Sequence, residues 1–418
     1  MNKTTRNILL TLLALFLLAG SFSAGVIVGW LIPSQSPLQA TVSTAVASEN
    51  DTTTLFKPFW QAWDILHQNY IDQPLDDTLL MQGAIKGMVS SLGDAHTLYM
   101  TQAEYNAANI SLTGKYGGIG AYVSVNGDFL TITGTFEGSP AEKAGLKAGD
   151  EIIAVDGKDV TGVDPSVVLE SVKGEAGTTV VLTIHRSNPE STFDVTITRE
   201  TITYKTVTGK ILKQEDLPGN TSLVLNENIA YIRLSSFGQD TTADLTTTLT
   251  TLLAEDPKGI ILDLRENGGG YLETAVSVVS QFISDGVVVY QEDNSGNLTA
   301  FNATKGGLAT EIPLVILVDG NSASASEITA GALQDYKRAI LVGTQTYGKG
   351  SVQYWIPLDD EQGAVAVTIA RWLTPLKHQI DKIGLTPDYV INFTDEDIKM
   401  GYDVQLEKAV ELLLQKAQ

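Results

Sequence analysis

One stretch of this chain gathers the residue types needed for nucleophilic catalysis. Three serines, Ser322, Ser324 and Ser326, are followed by Lys349 and then Gln353. Serine and lysine form a workable pair, in which the hydroxyl attacks and the neutral amine takes its proton. The demand falls on the lysine. At its reference pKa near ~10.4 it is an ammonium at neutral pH, and each unit of lowering costs about 1.4 kcal/mol, supplied mainly by desolvation. The neighbours Tyr347, Gly348, Gly350 and Val352 suit such burial, and Gln353, four residues on, is placed to hold the amine without adding charge. A plainer reading makes the serine a helix N-cap and the lysine a solvated loop charge. Residue chemistry alone does not choose among the three serines.

The elements that carry these residues read as strand, turn and helix. A buried strand, Leu314 to Val318, enters a turn at Asp319-Gly320-Asn321, and the serines then open a helix through Ile328 and Leu333. The first N–H groups of a helix have no internal partner, so a negative oxygen forming there meets ready donors. A second strand, Ala339 to Val342, leads into the lysine loop. Upstream lies a strand from Ile229 to Leu234, then a helical stripe of Leu245, Leu249, Leu252 and Leu253. Pro257-Lys258-Gly259 breaks that helix. The next strand, Ile260 to Leu264, ends in Arg265-Glu266-Asn267-Gly268-Gly269-Gly270 before a helix through Ala275 and Val279. Such a turn can cradle phosphate or an oxyanion, but its spacing matches neither nucleotide fingerprint. A strand from Ala364 to Ile369 and an amphipathic helix from Gln405 to Leu414 close the region, whereas Thr203 to Glu227 reads as a link.

The bulk numbers narrow the classes. A chain of 418 residues has room for two or three domains. Its net charge of −22 argues against a nucleic-acid partner, which demands clustered cations. With no cysteine there is no disulfide, thiol chemistry or acylated anchor. Only four histidines occur, His67, His96, His185 and His378, without metal-ligand spacing, so no metal or other cofactor is expected. Of these, His67 reads as a surface or packing residue of a helical bundle; His96 and His378 lack the setting of a triad base.

The amino-terminal end points to export. After Lys3 and Arg6, residues 8–32 are apolar or small without a charge, long enough to span ~30 Å of hydrocarbon. The basic end stays in the cytoplasm and places the body outside. The competing reading is a cleaved signal segment, which secretes it. Residues 35–55 read as a flexible tether, and from Phe56 an apolar face of Phe59, Trp60, Trp63, Ile65, Leu66 and Tyr70 marks a helix, followed by another over Leu79 to Leu92.

From Tyr116 to Ile202 short strands and turns dominate. The run Tyr116-Gly117-Gly118-Ile119-Gly120, with GSPAEKAGL (138–146) and GDEIIAVDG (149–157), resembles a PDZ domain of the circularly permuted kind found in bacterial exported proteases. A glycine-rich loop ahead of a strand turns N–H groups onto a carboxylate while the strand edge takes the peptide.

The whole constellation is similar to the carboxyl-terminal processing (tail-specific) serine proteases. GNSASASEITAGALQDYKRA and GTQTYGKGSVQ resemble their signature, and SSFG, DLRENGGG and LTPDYV follow in family order. The resemblance implies a Ser–Lys dyad with Ser324 as nucleophile, Lys349 as base and Gln353 orienting it. It implies an oxyanion hole from the N–H groups of Ala325 and Gly269, and substrates whose nonpolar carboxyl tails bind at Tyr116–Gly120. Three positions depart from the pattern: Gly268 and Ala95 stand where proline is usual, and Lys377 where glycine is usual. The expected architecture is α/β and multidomain. It comprises a membrane helix or signal segment (1–34), the tether (35–55), a small helical segment (56–104), a β-rich α+β PDZ domain (105–202) and a crotonase-like α/β protease core (203–418). A homo-oligomer or an adaptor partner is compatible with it. Two rival classes are an acyl-CoA enzyme on a related fold, which needs no lysine base, and a non-catalytic PDZ adaptor, which needs neither serine nor lysine.

Overall fold

A computed structural model describes residues 49–126, 129–203, 205–219 and 221–416. The apolar segment at 8–32 and most of the expected tether lie outside the described residues. No helix of the described residues is long and apolar enough to cross a membrane.

The chain divides into two units, residues up to Asp77 and residues 78–418. In the first, α1 (Glu49–Leu55) occupies the end of the expected flexible tether, so those residues form a helix instead. Helix α2 (Lys57–Asn69) follows, with no residue buried; Trp60 and Ile65 of its apolar face are exposed. His67 donates to the Trp63 carbonyl and to the Asp77 carboxylate, which raises its pKa. It is a local structural residue.

The second unit begins one residue into α3 (Asp77–Ser90), followed by β1 (Leu98–Met100) and α4 (Gln102–Thr113). Helix α4 runs across the expected boundary at 104. Thr101 and Glu104 close a reciprocal capping box at its start, and Gly114 in a left-handed conformation ends it. The PDZ strands follow: β2 (Lys115–Gly118), β3 (Ala121–Asn126) and β4 (Phe129–Thr135), the short α5 (Pro140–Lys143), β5 (Glu151–Val155) and β6 (Lys158–Asp159). Helix α6 (Pro165–Val172), β7 (Thr179–Ser187), β8 (Glu190–Thr198) and β9 (Glu200–Thr203) complete the module. Its main sheet has the order β3-β4-β5-β7-β8, with β3 at one edge; β2 pairs separately with β9. Alternating residues such as Val180, Leu182 and Ile184 of β7 turn inward to pack with Ile132, Ile152 and Val168. Asp150 of the GDEIIAVDG string is fully buried and takes a bidentate Arg186 at 2.6 and 2.7 Å. The motif's carboxylate thus staples the turn before β5.

The larger α/β part runs β10 (Val207–Ile211), β11 (Ile229–Leu234), α7 (Thr241–Leu253), β12 (Gly259–Asp263), α8 (Leu272–Val279), β13 (Val287–Glu292) and β14 (Leu298–Asn302). It continues with β15 (Leu314–Val318), α9 (Ala325–Asp335), β16 (Ala339–Gly343), β17 (Ser351–Pro357), β18 (Ala364–Leu373), β19 (Tyr389–Val390), α10 (Asp395–Met400) and α11 (Val404–Lys416). Strand β10 lies inside the segment expected to be a link; it pairs antiparallel with β11 and extends the sheet. That sheet has the order β10-β11-β12-β15-β16-β19, parallel from β11 onward. Every residue of β12 and β15 is buried, as expected of central parallel strands covered on both faces. Ile260, Leu262, Leu314 and Ile316 pack with Leu245, Val278 and Ile328, whereas Ile261, Val315 and Leu317 pack with Leu406, Ala409 and Leu413 of α11. Helix α7 is rich in threonine, a poor helix former. Its Thr246, Thr247, Thr250 and Thr251 hydroxyls bond carbonyls four residues back, and its leucines hold the buried face. A second sheet, β1-β18-β13-β14 with β17 on β18, flanks this layer.

Candidate active site

Strands β12 and β15 are parallel neighbours, so the turns at their carboxyl ends lie side by side. Open α/β sheets place their sites at such ends. The first turn carries Asn267 to Gly270, the second the three serines.

Burial separates those serines. Ser322 and Ser326 are fully buried: Ser322 Oγ donates to the Leu264 carbonyl at 2.8 Å and Ser326 Oγ to the Asn267 carbonyl at 2.7 Å. Both are bolts between the two turns. Ser324 is only half-buried and stands at the N-cap of α9 with φ 55° and ψ −115°. A left-handed φ in a residue with a side chain costs about 1–3 kcal/mol and persists where surrounding structure imposes it. Here the glycine turn packs directly against it. A Cβ on Gly269 would sit 2.8 Å from Ser324 Cβ and 2.9 Å from the Ala325 nitrogen, and one on Gly270 would sit 2.2 Å from the Phe237 carbonyl. Phe237 belongs to the SSFG string. Its N–H donates to the Gly269 carbonyl and its carbonyl accepts from Tyr271 N–H, so it clamps the glycine turn.

The Ala325 nitrogen and Gly269 are therefore adjacent, as an oxyanion pair requires. In this structure, however, the Gly269 N–H donates to the side-chain oxygen of buried Asn267 at 2.9 Å. Gly268 has open space where a side chain would go, so the residue at the family's usual proline position is not held by close packing.

Lys349 sits on the turn between β16 and β17 and is half-buried. Its glycine neighbours let segment 381–384 close over it: a Cβ on Gly348 would meet the backbone of Ile383 and Gly384 at 2.9 Å, and one on Gly350 would meet Asp381 at 2.7 Å. Burial lowers the Lys349 pKa, and the nearby charges of Glu327 and Asp94 oppose that lowering. Desolvation wins, the direction a general base needs.

Glu327 is the residue that the sequence reading missed. It is fully buried in the first turn of α9, and its carboxylate accepts from Ser324 N–H at 2.9 Å, Gly348 N–H at 2.7 Å, Lys349 N–H at 2.9 Å and the Thr346 hydroxyl at 2.6 Å. One buried carboxylate thus ties the serine turn to the lysine turn. The available signal was the spacing Ser324-Ala325-Ser326-Glu327, that of a capping box.

Gln353 lies on β17 at a register shift between Val352 and Gln353 opposite β18. Its Nε2 donates to Ser351 Oγ at 2.7 Å and to Thr368 Oγ1 at 3.2 Å, so the amide nitrogen is held by its own strand pair. The bulge re-aims the side chain toward these hydroxyls. His378 lies 3.5 Å from Asp335, and the His96 ring stands 6.4 Å from the Tyr347 ring.

Beneath the glycine turn, fully buried Asp263 holds Arg265 at 2.7 Å, Arg233 at 3.1 Å and the Tyr231 hydroxyl at 2.7 Å. Burial works against the Asp263 carboxylate, but the two guanidiniums and the phenol hold its pKa below the usual value. Arg265 also grips Asp403, whose carboxylate caps Leu406 N–H in the first turn of α11.

The PDZ run divides in two. Tyr116, Gly117 and Gly118 form β2, paired with β9, so the first half of the expected loop is a strand. A Cβ on Gly117 would lie 1.9 Å from the Gly174 carbonyl, which leaves glycine as the fitting residue. Ile119 is buried in the PDZ core, and Gly120, at φ 73°, turns the chain into the edge strand β3.

The profile of Peptidase family S41 matches residues 228–391, that of a PDZ domain matches 131–186, and that of the activating protease CtpB N-terminal domain matches 17–104. A carboxy-terminal-processing protease of Bartonella bacilliformis is 36% identical over 369 residues, 87% of this chain and 81% of that protein. The carboxy-terminal processing protease CtpA of Bacillus subtilis is 33% identical over 374 residues, 88% of this chain and 77% of that one. A putative S41 protease from Bacteroides fragilis shares the fold, with a TM-score of 0.53 over 84% of this chain and 96% of that chain at 16% identity. The chain is thereby placed among serine-type peptidases that carry a PDZ domain. It belongs to peptidase family S41, as a carboxyl-terminal processing peptidase.

Proposed function

We propose that this peptidase works through a Ser324–Lys349 dyad on exported proteins selected by nonpolar carboxyl tails. Neutral Lys349 takes the Ser324 proton as the hydroxyl attacks the scissile carbonyl. The ammonium so formed gives that proton to the leaving amine as the peptide bond breaks, and water, deprotonated in turn by the neutral lysine, releases the acyl-enzyme. The negative oxygen of the intermediate lies against the N–H groups of Ala325 and Gly269. At Gly269 it competes with the neutral oxygen of Asn267, and a charged acceptor makes the stronger bond. Gln353, braced by Ser351 and Thr368, orients the lysine side of the site. The observation that carries this reading is Glu327, which binds both turns to one buried carboxylate while burial depresses the Lys349 pKa. Tail capture at Tyr116–Gly120 is supported by β3, an edge strand that leaves one side for an added peptide strand. Residues 8–32 anchor the body outside the cytoplasmic membrane or, if cleaved, release it.

The test is hydrolysis of an unstructured protein with a nonpolar tail. Ser324→Ala and Lys349→Ala abolish turnover, and Lys349→Arg is equally inactive because guanidinium remains protonated. Substantial turnover by Lys349→Arg excludes the dyad. Equal behaviour of wild type and Ser324→Ala favours a binding role alone.

A further inference from the structure

The turn Gly93-Asp94-Ala95-His96-Thr97 lies more than 200 positions before the lysine in the chain, yet it abuts the same strand pair. Strand β1, which follows the turn, pairs with β18 from Leu98 opposite Ala366. This register brings Thr97 to Thr368, whose N–H donates to Thr97 Oγ1 at 3.0 Å. Thr97 Oγ1 in turn donates to Asp94 at 2.6 Å, and His96 N–H donates to Asp94 at 3.0 Å. Since Thr368 Oγ1 accepts from Gln353, a continuous chain runs Asp94–Thr97–Thr368–Gln353–Ser351.

We propose that Asp94 is a positioning residue for the dyad: through Thr97 and Thr368 it sets the strand pair that carries Gln353, and its charge counterweights the burial of the Lys349 amine. The inference rests on Lys349 being the base. The Asx turn that Asp94 makes with His96 N–H accounts for one of its contacts; it does not account for the reach across β18 or for the field at Lys349. Partial burial pushes the Asp94 pKa up, but the side chains of Thr368 and Thr97 and the His96 N–H bring it down to about 2, so the anion is present throughout the working range. The charged and titratable groups around the lysine turn come from every side. Glu327 faces it from α9, Asp94 and His96 from the turn before β1, Asp381 from the segment over Gly350, and Arg371 lies opposite Ser351 on β18. Two of these, Glu327 and Asp94, oppose the desolvation that lowers the Lys349 pKa.

Asp94→Asn removes the charge and keeps the shape, because threonine hydroxyls can accept as well as donate. In the full chain, kcat/KM against pH for a tailed peptide then shows its acidic limb moved to lower pH. Loss of the anion lets desolvation lower the lysine further. Thr368→Val leaves the charge but cuts the link to Gln353. It lowers kcat by up to about 10²-fold, the scale of a misplacement of about 1 Å, with KM and the limb unchanged. A folded Asp94→Asn enzyme whose limb stays in place overturns the proposal. If Asp94→Asn fails to fold, Thr368→Val decides: full kcat overturns the inference, and reduced kcat at constant KM supports it. Turnover by Lys349→Arg is a different failure, that of the dyad reading itself.

Discussion

Two fully buried carboxylates, Asp263 at the end of β12 and Glu327 in the first turn of α9, are compensated in opposite ways. Asp263 meets two guanidiniums and a phenol, so its charge is neutralised locally and its partners reach α11. Glu327 meets three N–H groups and a hydroxyl and none of these is a cation, so its field still reaches Lys349. The first arrangement holds the frame beneath the glycine turn. The second fixes two turns relative to each other and leaves an electrostatic bias at the lysine. A buried charge therefore serves stability or chemistry according to what compensates it.

Removing each carboxylate tests that contrast. Asp263→Ala leaves Arg265 and Arg233 beside an empty site and costs about 3–5 kcal/mol, read as a fall in the urea midpoint. An unchanged midpoint breaks the contrast. Glu327→Gln keeps one acceptor oxygen but sets an NH2 group against N–H donors. The expected result is a loss of about 10²–10³-fold in kcat, comparable to deleting an oxyanion donor, with a smaller change in melting temperature. Stability loss without loss of kcat in the folded enzyme would place Glu327 with Asp263 instead.

Acid sharpens the comparison further. Asp263 has a folded pKa below its unfolded value, so its contribution is present above the unfolded value and is lost as pH falls through the folded one. Asp94 follows the same sign, with its window between 3.8 and about 2. The wild-type urea midpoint therefore falls steeply as pH drops below about 4, and Asp263→Ala falls less steeply. The smallest effect belongs to the glycine turn. Gly268→Ala enters open space and stabilises by about 0.4–1 kcal/mol, measured as a rise in melting temperature, by narrowing the unfolded ensemble.

Much of the fold was legible locally. The unbroken apolar runs of β12 and β15 and the leucine stripe of α7 show in the chain because burial on both faces, or on one, leaves a period that near neighbours reveal. Strands β10, β13, β14 and β17 were not read: they are short or carry mixed residues, and only their partners make them strands. The apolar face read on α2 exists, but none of its residues is buried.

At the site, sequence by itself determined the inventory: a serine cluster, a lysine between glycines, a glycine turn and the family to which they belong. The tertiary structure decided their roles. Ser322 and Ser326 became bolts because the turn after β12 supplied carbonyls to both, and Ser324 remained half-exposed at a strained turn. Glu327 and Asp94 acquired their importance from residues more than 18 and 250 positions away, Thr346 directly and Thr368 through Thr97. Propensity and periodicity act over a few residues, whereas the compensation of a buried charge depends on whatever distant chain the fold brings beside it.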